Sequence, residues 1–211
     1  MFSKRGNAEL GIKQRRTDSE VVQARALVTR QKILTSALKM YASKGYQKTT
    51  VDEIAKTAGV SVGVAYRYFK NKKDLLLATL EYAFSCIEEI TGTDPQDIVN
   101  GNLSDALAAF EKIHTEYYAL HEELEGLRHT DEDVRKLYEG FFHKAVKKIY
   151  DGLPDEFRNS PGSLIDLYIA IGMTENYCHM YMHDSLSDVE LKSMRERTLD
   201  VISEKLMHRE T

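Results

Sequence analysis

Glu175, His179 and His183 recur at four-residue spacing toward the C-terminal end of one apolar segment. A carboxylate and two imidazoles on one helix face are ligands that zinc-like ions accept. With an open coordination position they would support a metal-dependent helical enzyme. Histidines near a helix C-terminus also complement the negative end of its dipole without any ion. The spacing alone therefore assigns no metal, and no cofactor is expected.

A second chemical pattern is Gly59-Val60-Ser61-Val62-Gly63, which fits the G-x-S-x-G of a hydrolase nucleophile elbow. That elbow needs a strand before the serine and a helix after it. Here the preceding residues are helical, so Ser61 is read as a helix cap, not a nucleophile. The two cysteines, Cys86 and Cys178, are isolated and suggest neither a disulfide framework nor a four-ligand zinc site. The chain contains no P-loop, no dinucleotide fingerprint and no H-E-x-x-H pair. No catalytic residue is assigned, and the chain is read as a non-enzyme.

The elements that must carry these residues are helices. Only 3 prolines and 12 glycines interrupt 211 residues that are 42 % hydrophobic. Helix-forming Ala, Leu, Glu and Lys fill the spaces between. Charge is divided unevenly along the chain. Up to Leu80 there are 16 Lys+Arg against 6 Asp+Glu, and the remainder reverses that balance to give −4 overall. A basic head ahead of an acidic body is the electrostatic footprint of a module that binds a polyanion and holds its remainder away. No apolar leader follows the basic N-terminus, and no run approaches the ~20 apolar residues of a membrane span. No membrane association is expected.

Residues 1–28 read as a basic N-terminal arm, flexible to Arg16 and partly helical from Thr17 to Ala26. Ile33, Leu34, Ala37, Leu38 and Tyr41 then mark an amphipathic helix that stops at Lys44-Gly45. Thr50-Val51-Asp52-Glu53 is a capping box opening a second helix, with Val51, Ile54, Ala55 and Ala58 on its apolar face. Gly59 supplies a left-handed turn plugged by Val60, and Ser61 caps a third helix reaching about Phe69. Two short helices joined by a glycine turn make a helix-turn-helix.

On the third helix Ala65 and Phe69 face inward, whereas Val62, Gly63, Tyr66, Arg67 and Lys70 share the other side. Gly63 costs that helix about 1 kcal/mol relative to alanine, so its place there suggests close approach by another surface. Asn71 caps a fourth helix whose first turn carries Lys72 and Lys73. Cations there oppose the helix dipole, unless an external phosphate sits at the same end.

The stretch Thr49 to Leu76, TTVDEIAKTAGVSVGVAYRYFKNKKDLL, resembles the DNA-binding signature of the TetR family of bacterial regulators. Its marks are the capping threonine, the I-A-x-x-A-G-V-S turn, the Y-x-Y-F ending and the K-N-K-x-x-L-L entry to helix four. Ala65 departs from the larger aliphatic residue usual in the family. The resemblance implies phosphate contacts at Thr50, Tyr66, Tyr68 and Lys72, and base-edge contacts at Val62, Gly63 and Arg67. Ser61 and Lys70 complete the expected DNA-binding set. It also implies an all-α fold, with a three-helix DNA-binding domain at 29–75 ahead of a helical effector-binding and dimerisation domain at 76–211.

In that body, helical patterns run at about Leu103–Leu127, Asp131–Asp151, Ser163–Met182 and Asp188–Met207, broken by Asp94-Pro95, Gly152, Pro154, Pro161 and Gly162. From Leu164 to Met173 the penultimate helix is apolar almost all round and needs cover on two sides. A partner subunit is the economical cover. The dimer-interface set is Leu164, Ile165, Tyr168, Ile171, Gly172, Leu191, Met194, Val201 and Ile202. Tyr117, Tyr118, Phe141, Phe142, Tyr168 and Tyr177 are the candidate linings of an effector pocket.

The expectation is a cytoplasmic, nucleoid-associated regulator, a repressor by resemblance. It would bind a palindromic double-stranded operator as a homodimer and be released by a small-molecule effector. A helical metal-dependent enzyme and an interaction module that does not read DNA are the alternatives. Neither accounts for the charge division, the signature and the lysines at the start of helix four together.

Overall fold

Side-chain caps and two left-handed glycines set where the first helices start and stop. The computed structural model describes residues 5–90, 103–182 and 186–207, with side chains at 20–86, 103–182 and 186–206. Among these residues there are ten helices and no strand, so the all-α reading holds. The helices are α1 (Arg5–Lys44), α2 (Val51–Ala58), α3 (Val62–Tyr68), α4 (Lys72–Ile90), α5 (Leu103–Glu116), α6 (Tyr118–Thr130), α7 (Glu132–Gly152), α8 (Asp155–Arg158), α9 (Ser163–Met182) and α10 (Asp188–Met207).

The capping box is formed as the sequence requires. Thr50 Oγ1 accepts from the Glu53 amide at 3.3 Å, and Glu53 Oε2 accepts from the Thr50 amide at 2.9 Å. Lys44 Nζ donates to the other carboxylate oxygen at 2.6 Å, tying the end of α1 to the start of α2. Gly59 ends α2 at φ +70°, and Ser61 accepts from the Val64 amide at 3.3 Å to start α3. Asn71 Oδ1 accepts from the Asp74 amide at 2.8 Å, and Asp131 accepts from the Asp133 and Val134 amides.

Two helix boundaries differ from the sequence expectation. Helix α1 begins at Arg5, so the segment read as a flexible arm to Arg16 is helical from its fifth residue. No proline lies before Lys44 to stop it. Apolar periodicity begins only at Ile33, because Val21, Val22, Leu27 and Val28 are exposed in the preceding turns. The span expected as one helix from Leu103 to Leu127 is instead α5 and α6, divided at Tyr117 with φ −112° and ψ 23°. No glycine or proline announces that break; Tyr117 packs its ring against the central core there. The short α8 also lay inside a segment read as a connection.

Helix α1 packs on α2, α4 and α6, α4 on α7, and α9 on α5, α7 and α10. The main core does not divide at residue 75. It joins Ile33, Leu34 and Tyr41 of α1, Ile54 of α2 and Leu75 of α4 to Leu120 and Leu124 of α6 and Val134 of α7. The ring of Phe84 on α4 stacks on Phe141 of α7 at 4.1 Å between centroids and 9° between planes. Lys73 on α4 pairs with Asp131 and Asp133 at 2.9 and 2.7 Å, where α7 begins.

Glu123 of α6 makes the most specific link between head and body. Its carboxylate accepts from the amides of Tyr46 and Gln47 in the loop after α1, the Gln47 contact being 3.1 Å. Gly45 stands beside it at φ +82°, and a methyl group there would lie 2.7 Å from Glu123 Oε1. Gly59 has nothing within 4 Å. Alanine at Gly59 therefore meets backbone strain alone and should cost about 1–2 kcal/mol of unfolding free energy. Gly45→Ala should cost more, because the added methyl group would also push the Glu123 carboxylate off the Tyr46 and Gln47 amides. Chemical denaturation of the two variants checks this, and equal losses would contradict the seating of Glu123.

The Lys44 ammonium, the Thr50 amide and the Thr50 hydroxyl together hold the Glu53 carboxyl down to about 2 from 4.5. A depressed carboxyl pKa stabilises the fold above the unfolded value, and that contribution fades as pH falls toward the folded one. At about pH 3.5, between those two values, carboxyl-carbon resonances should show Glu53 still ionised. A Glu53 midpoint near 4.5 would contradict the capping geometry.

Candidate functional site

The side of α3 turned away from the core carries Gly63, Tyr66 and Arg67, all exposed, with Lys70 exposed just beyond its end. Val62 is half-buried and packs on the core edge. Ala65 and Phe69 are buried and anchor the helix from behind, with the Arg30 guanidinium 5.5 Å from the Phe69 ring centroid. Tyr66 leaves 49 % of its surface in solvent, so its ring and hydroxyl are open to a partner. No atom lies within 4 Å of where a Cβ on Gly63 would stand, so nothing inside this chain requires a glycine there.

Flanking α3, Thr50 is exposed, but its hydroxyl already donates to Glu53 Oε2 at 2.8 Å. Ser61 serves as the cap of α3. Tyr68 is half-buried against the core. Lys72 Nζ donates to the Gln47 carbonyl at 3.1 Å and lies 4.3 Å over the Tyr46 ring, which places its charge beside the loop that Glu123 holds. All nine residues expected to face DNA thus lie on α3 or within its immediate flanks at the start of α2 and of α4. Sequence reading missed Tyr46 and Gln47, which position Lys72, since neither lies within the quoted signature.

The G-x-S-x-G pattern has no hydrolase geometry. Ser61 follows a helix and a glycine turn, and its oxygen serves the Val64 amide.

In the body, α4, α5, α6, α7, α9 and α10 enclose a cavity of about 310 Å³. Most of its wall is apolar, with Leu80, Ala83 and Phe84 contributed by α4. Of the six aromatic residues expected to line a pocket, Tyr117, Phe141 and Phe142 do so. The other three lie outside that lining. Tyr118 is exposed, and Tyr168 sits behind Phe142 with ring centroids 5.9 Å apart. Tyr177 is buried with its hydroxyl donating to Glu111 at 2.7 Å, and Arg195 Nε donates to the same oxygen at 2.9 Å. Each is on a neighbouring helix face, a distinction that aromatic content alone does not reveal.

One end of the cavity is polar. His114 of α5, His121 of α6 and Glu175 of α9 converge there, and each lines the cavity. His179, one turn along α9, brings Nε2 to 3.1 Å from His121 Nε2. Of the three residues singled out by four-residue spacing, Glu175 and His179 are in this cluster, and His183 lies outside the described residues. Burial favours a neutral ring at His121 and lowers it to about 4, with the charge of His114 adding to the effect. At His114 burial acts in the same direction but is outweighed by Cys178 and Glu175 beside it, so its pKa rises to about 10. Burial would raise Glu175, yet the neighbouring His114 more than compensates and holds it ionised.

The residues expected at a dimer interface fall into two groups. On α9, Leu164, Ile165 and Gly172 are exposed and Tyr168 is half-buried. Ile171 and Ile202 line the cavity instead, and Met194 packs on Leu107, Tyr177 and Cys178. Leu191 and Val201 are half-buried on α10. No helix of the described residues is long and apolar enough to cross a membrane.

Residues 33–79 match the family described as "Bacterial regulatory proteins, tetR family". The chain is 24 % identical over 187 residues to YerO of Bacillus subtilis, described as an uncharacterized HTH-type transcriptional regulator, covering 84 % of this chain and 63 % of that protein. The chain thus spans less than two thirds of the length of the curated relatives it first matches. Among solved structures, a TetR transcription regulator from Haloarcula marismortui superposes with a TM-score of 0.67 at 16 % identity, covering 84 % of this chain and 96 % of that one. A regulator from Saccharomonospora viridis, solved in complex with choline, superposes at 0.65 and 16 % identity, covering 85 % and 98 %. These likenesses share the fold, and the match at 33–79 falls on the capped helices and α3 stripe described above. Residues 33–79 of this chain thus carry the N-terminal region described for the tetR family of bacterial regulatory proteins.

Proposed function

We propose that this chain is a DNA-binding transcriptional regulator, acting as a repressor, that grips a palindromic operator as a homodimer and is released by a small-molecule effector. The exposed stripe of Gly63, Tyr66, Arg67 and Lys70 on α3, with open space over Gly63, is the observation that carries this reading. A glycine without an internal reason suits close approach to a groove edge, and the cationic residues around it suit phosphate. Thr50, Tyr66, Tyr68 and Lys72 are the proposed phosphate contacts, and Val62, Gly63 and Arg67 the proposed base-edge contacts.

Dimerisation is supported by α9, where Leu164, Ile165 and Ile169 leave 42, 61 and 44 % of their surface exposed. A second copy across a two-fold axis would cover that face and set two α3 helices about 34 Å apart, one turn of DNA. Effector release is supported by the cavity, because α4 runs from Lys72 beside the head to Leu80, Ala83 and Phe84 in the cavity wall. A ligand that prefers one position of α4 would thereby change the spacing of the two heads. The choline complex of a fold neighbour suits the same reading of the cavity. A location in the bacterial cytoplasm, on the nucleoid, belongs with this function.

Selection of bound duplexes from a random DNA pool at near-physiological salt tests the reading. Enrichment of a palindrome is expected; a folded protein that enriches no sequence would overturn it. On the enriched duplex, Lys72→Ala should weaken all sequences about equally and reduce the slope of log affinity against log salt by about 1. Arg67→Ala should instead relax discrimination at one base pair by about 1–3 kcal/mol, read from competition with single-site variants of the duplex. Uniform weakening by Arg67→Ala would remove its base-reading role.

A further inference from the structure

We propose that His114, His121, Glu175 and His179 form a binding site for one divalent transition-metal ion at the polar end of the body cavity. The inference goes beyond the DNA-binding reading and does not depend on it.

The case begins with the donor atoms. Glu175 Oε1 lies 3.4 Å from His114 Nε2, 3.7 Å from His121 Nε2 and 3.9 Å from His179 Nε2, and the two nitrogens of His121 and His179 are 3.1 Å apart. Four ligands at about 2.0–2.1 Å from a tetrahedral ion stand about 3.3 Å from one another. Three edges of such a tetrahedron, at 3.1, 3.4 and 3.7 Å, are therefore already near their bonded lengths, and the ligand atoms of His114, His121 and Glu175 all lie within 4.8 Å of one another. The donors come from three helices, α5, α6 and α9, so their convergence is a product of tertiary packing and not of local spacing.

Orientation gives a second, independent observation. His114 is 6 % exposed, and its Nδ1 lies 2.9 Å from the Phe110 carbonyl. A proton on Nδ1 shared with that carbonyl directs Nε2 into the cluster, where Nε2 is buried without a hydrogen bond, Glu175 Oε1 standing 3.4 Å away outside hydrogen-bonding geometry. A buried polar nitrogen left unbonded is costly, and native interiors rarely tolerate one. A backbone carbonyl behind one imidazole nitrogen is the support that metal-ligating histidines usually have. Glu122 stands 4.0 Å from His179 Nδ1, a carboxylate on the far side of a second ligand ring.

Chemistry selects the class of ion. Three imidazoles and one carboxylate suit zinc, nickel, cobalt or copper, whereas magnesium and calcium prefer oxygen ligands throughout. Spacing along α9 alone suggested Glu175 with His179 and His183 and assigned no metal. Folding supplies His114 and His121, seven residues apart and contributed from α5 and α6.

The test uses the full chain, stripped with a chelator and dialysed. Zinc titrated in competition with a chromophoric chelator should bind at one equivalent per chain. Substitution of both His121→Ala and His179→Ala should weaken binding by more than the about 10–100-fold typical of outer-shell changes. His143→Ala, an exposed histidine outside the cluster, should leave binding unaltered. Imidazole nitrogen resonances of the unsubstituted chain provide a readout that needs no variant: zinc should shift Nε2 of His114, His121 and His179 together. Absence of stoichiometric binding would leave a hydrogen-bonded cluster only and overturn the proposal. Binding that is undiminished in the double variant, or that leaves those three nitrogens unshifted, would overturn it equally.

Discussion

The carboxylate of Glu123 joins the two halves of this molecule. It accepts from the amides of Tyr46 and Gln47, just beyond the end of α1, and so fastens the loop that leads into α2. Charged acceptors make the stronger backbone hydrogen bonds, and this one spans from the body to the head. Gly45 is required beside it for both conformation and space. Thr49, buried behind the loop, returns its hydroxyl to the Gly45 carbonyl at 2.7 Å, and Lys72 reaches the Gln47 carbonyl from α4. The start of the head is thus held by a residue of the body.

The continuity of the core follows the same route. Leu120, Leu124 and Val134 of the body are buried with Ile33, Ile54 and Leu75 of the head, so no solvent-filled seam separates the two. Helix α4 crosses from one to the other, and its Phe84 stacks on Phe141 at the cavity wall. Close-packed interiors transmit displacement instead of absorbing it. In the proposed function, an occupant of the cavity acts on α4, and α4 together with Glu123 acts on α3.

What the sequence made legible was local. The caps at Thr50 and Ser61, the left-handed Gly59 and the inward pair Ala65 and Phe69 each depend on neighbours within four residues, and each forms as read. What escaped was long-range or lacked a breaker. The turn at Tyr117 has no glycine or proline to announce it, and α1 extends back to Arg5 through turns where Val21, Val22, Leu27 and Val28 are exposed and leave no apolar periodicity. Glu123 lies 77 residues from Tyr46, and nothing in its own surroundings marks it as the partner of that loop. The histidine cluster was half visible, since Glu175 and His179 share a helix face while His114 and His121 reach it only through packing. Tyr118, Tyr168 and Tyr177 show the limit of composition: aromatic residues suit a pocket, but helix rotation decides which of them reach it.

Charge follows the same division. In the basic stretch up to Leu80, Arg67 and Lys70 are exposed, while the acidic body answers Lys73 through Asp131 and Asp133 at the junction. That arrangement leaves α3 as the face toward which a polyanion would be drawn. Amide chemical-shift mapping with a bound DNA duplex tests this most directly. The account predicts that the largest perturbations fall on Val62, Gly63 and Arg67 and at the N-terminal end of α4, with smaller ones at Tyr46 and Gln47. Perturbations confined to α5 through α10, with α3 unmoved, would contradict it.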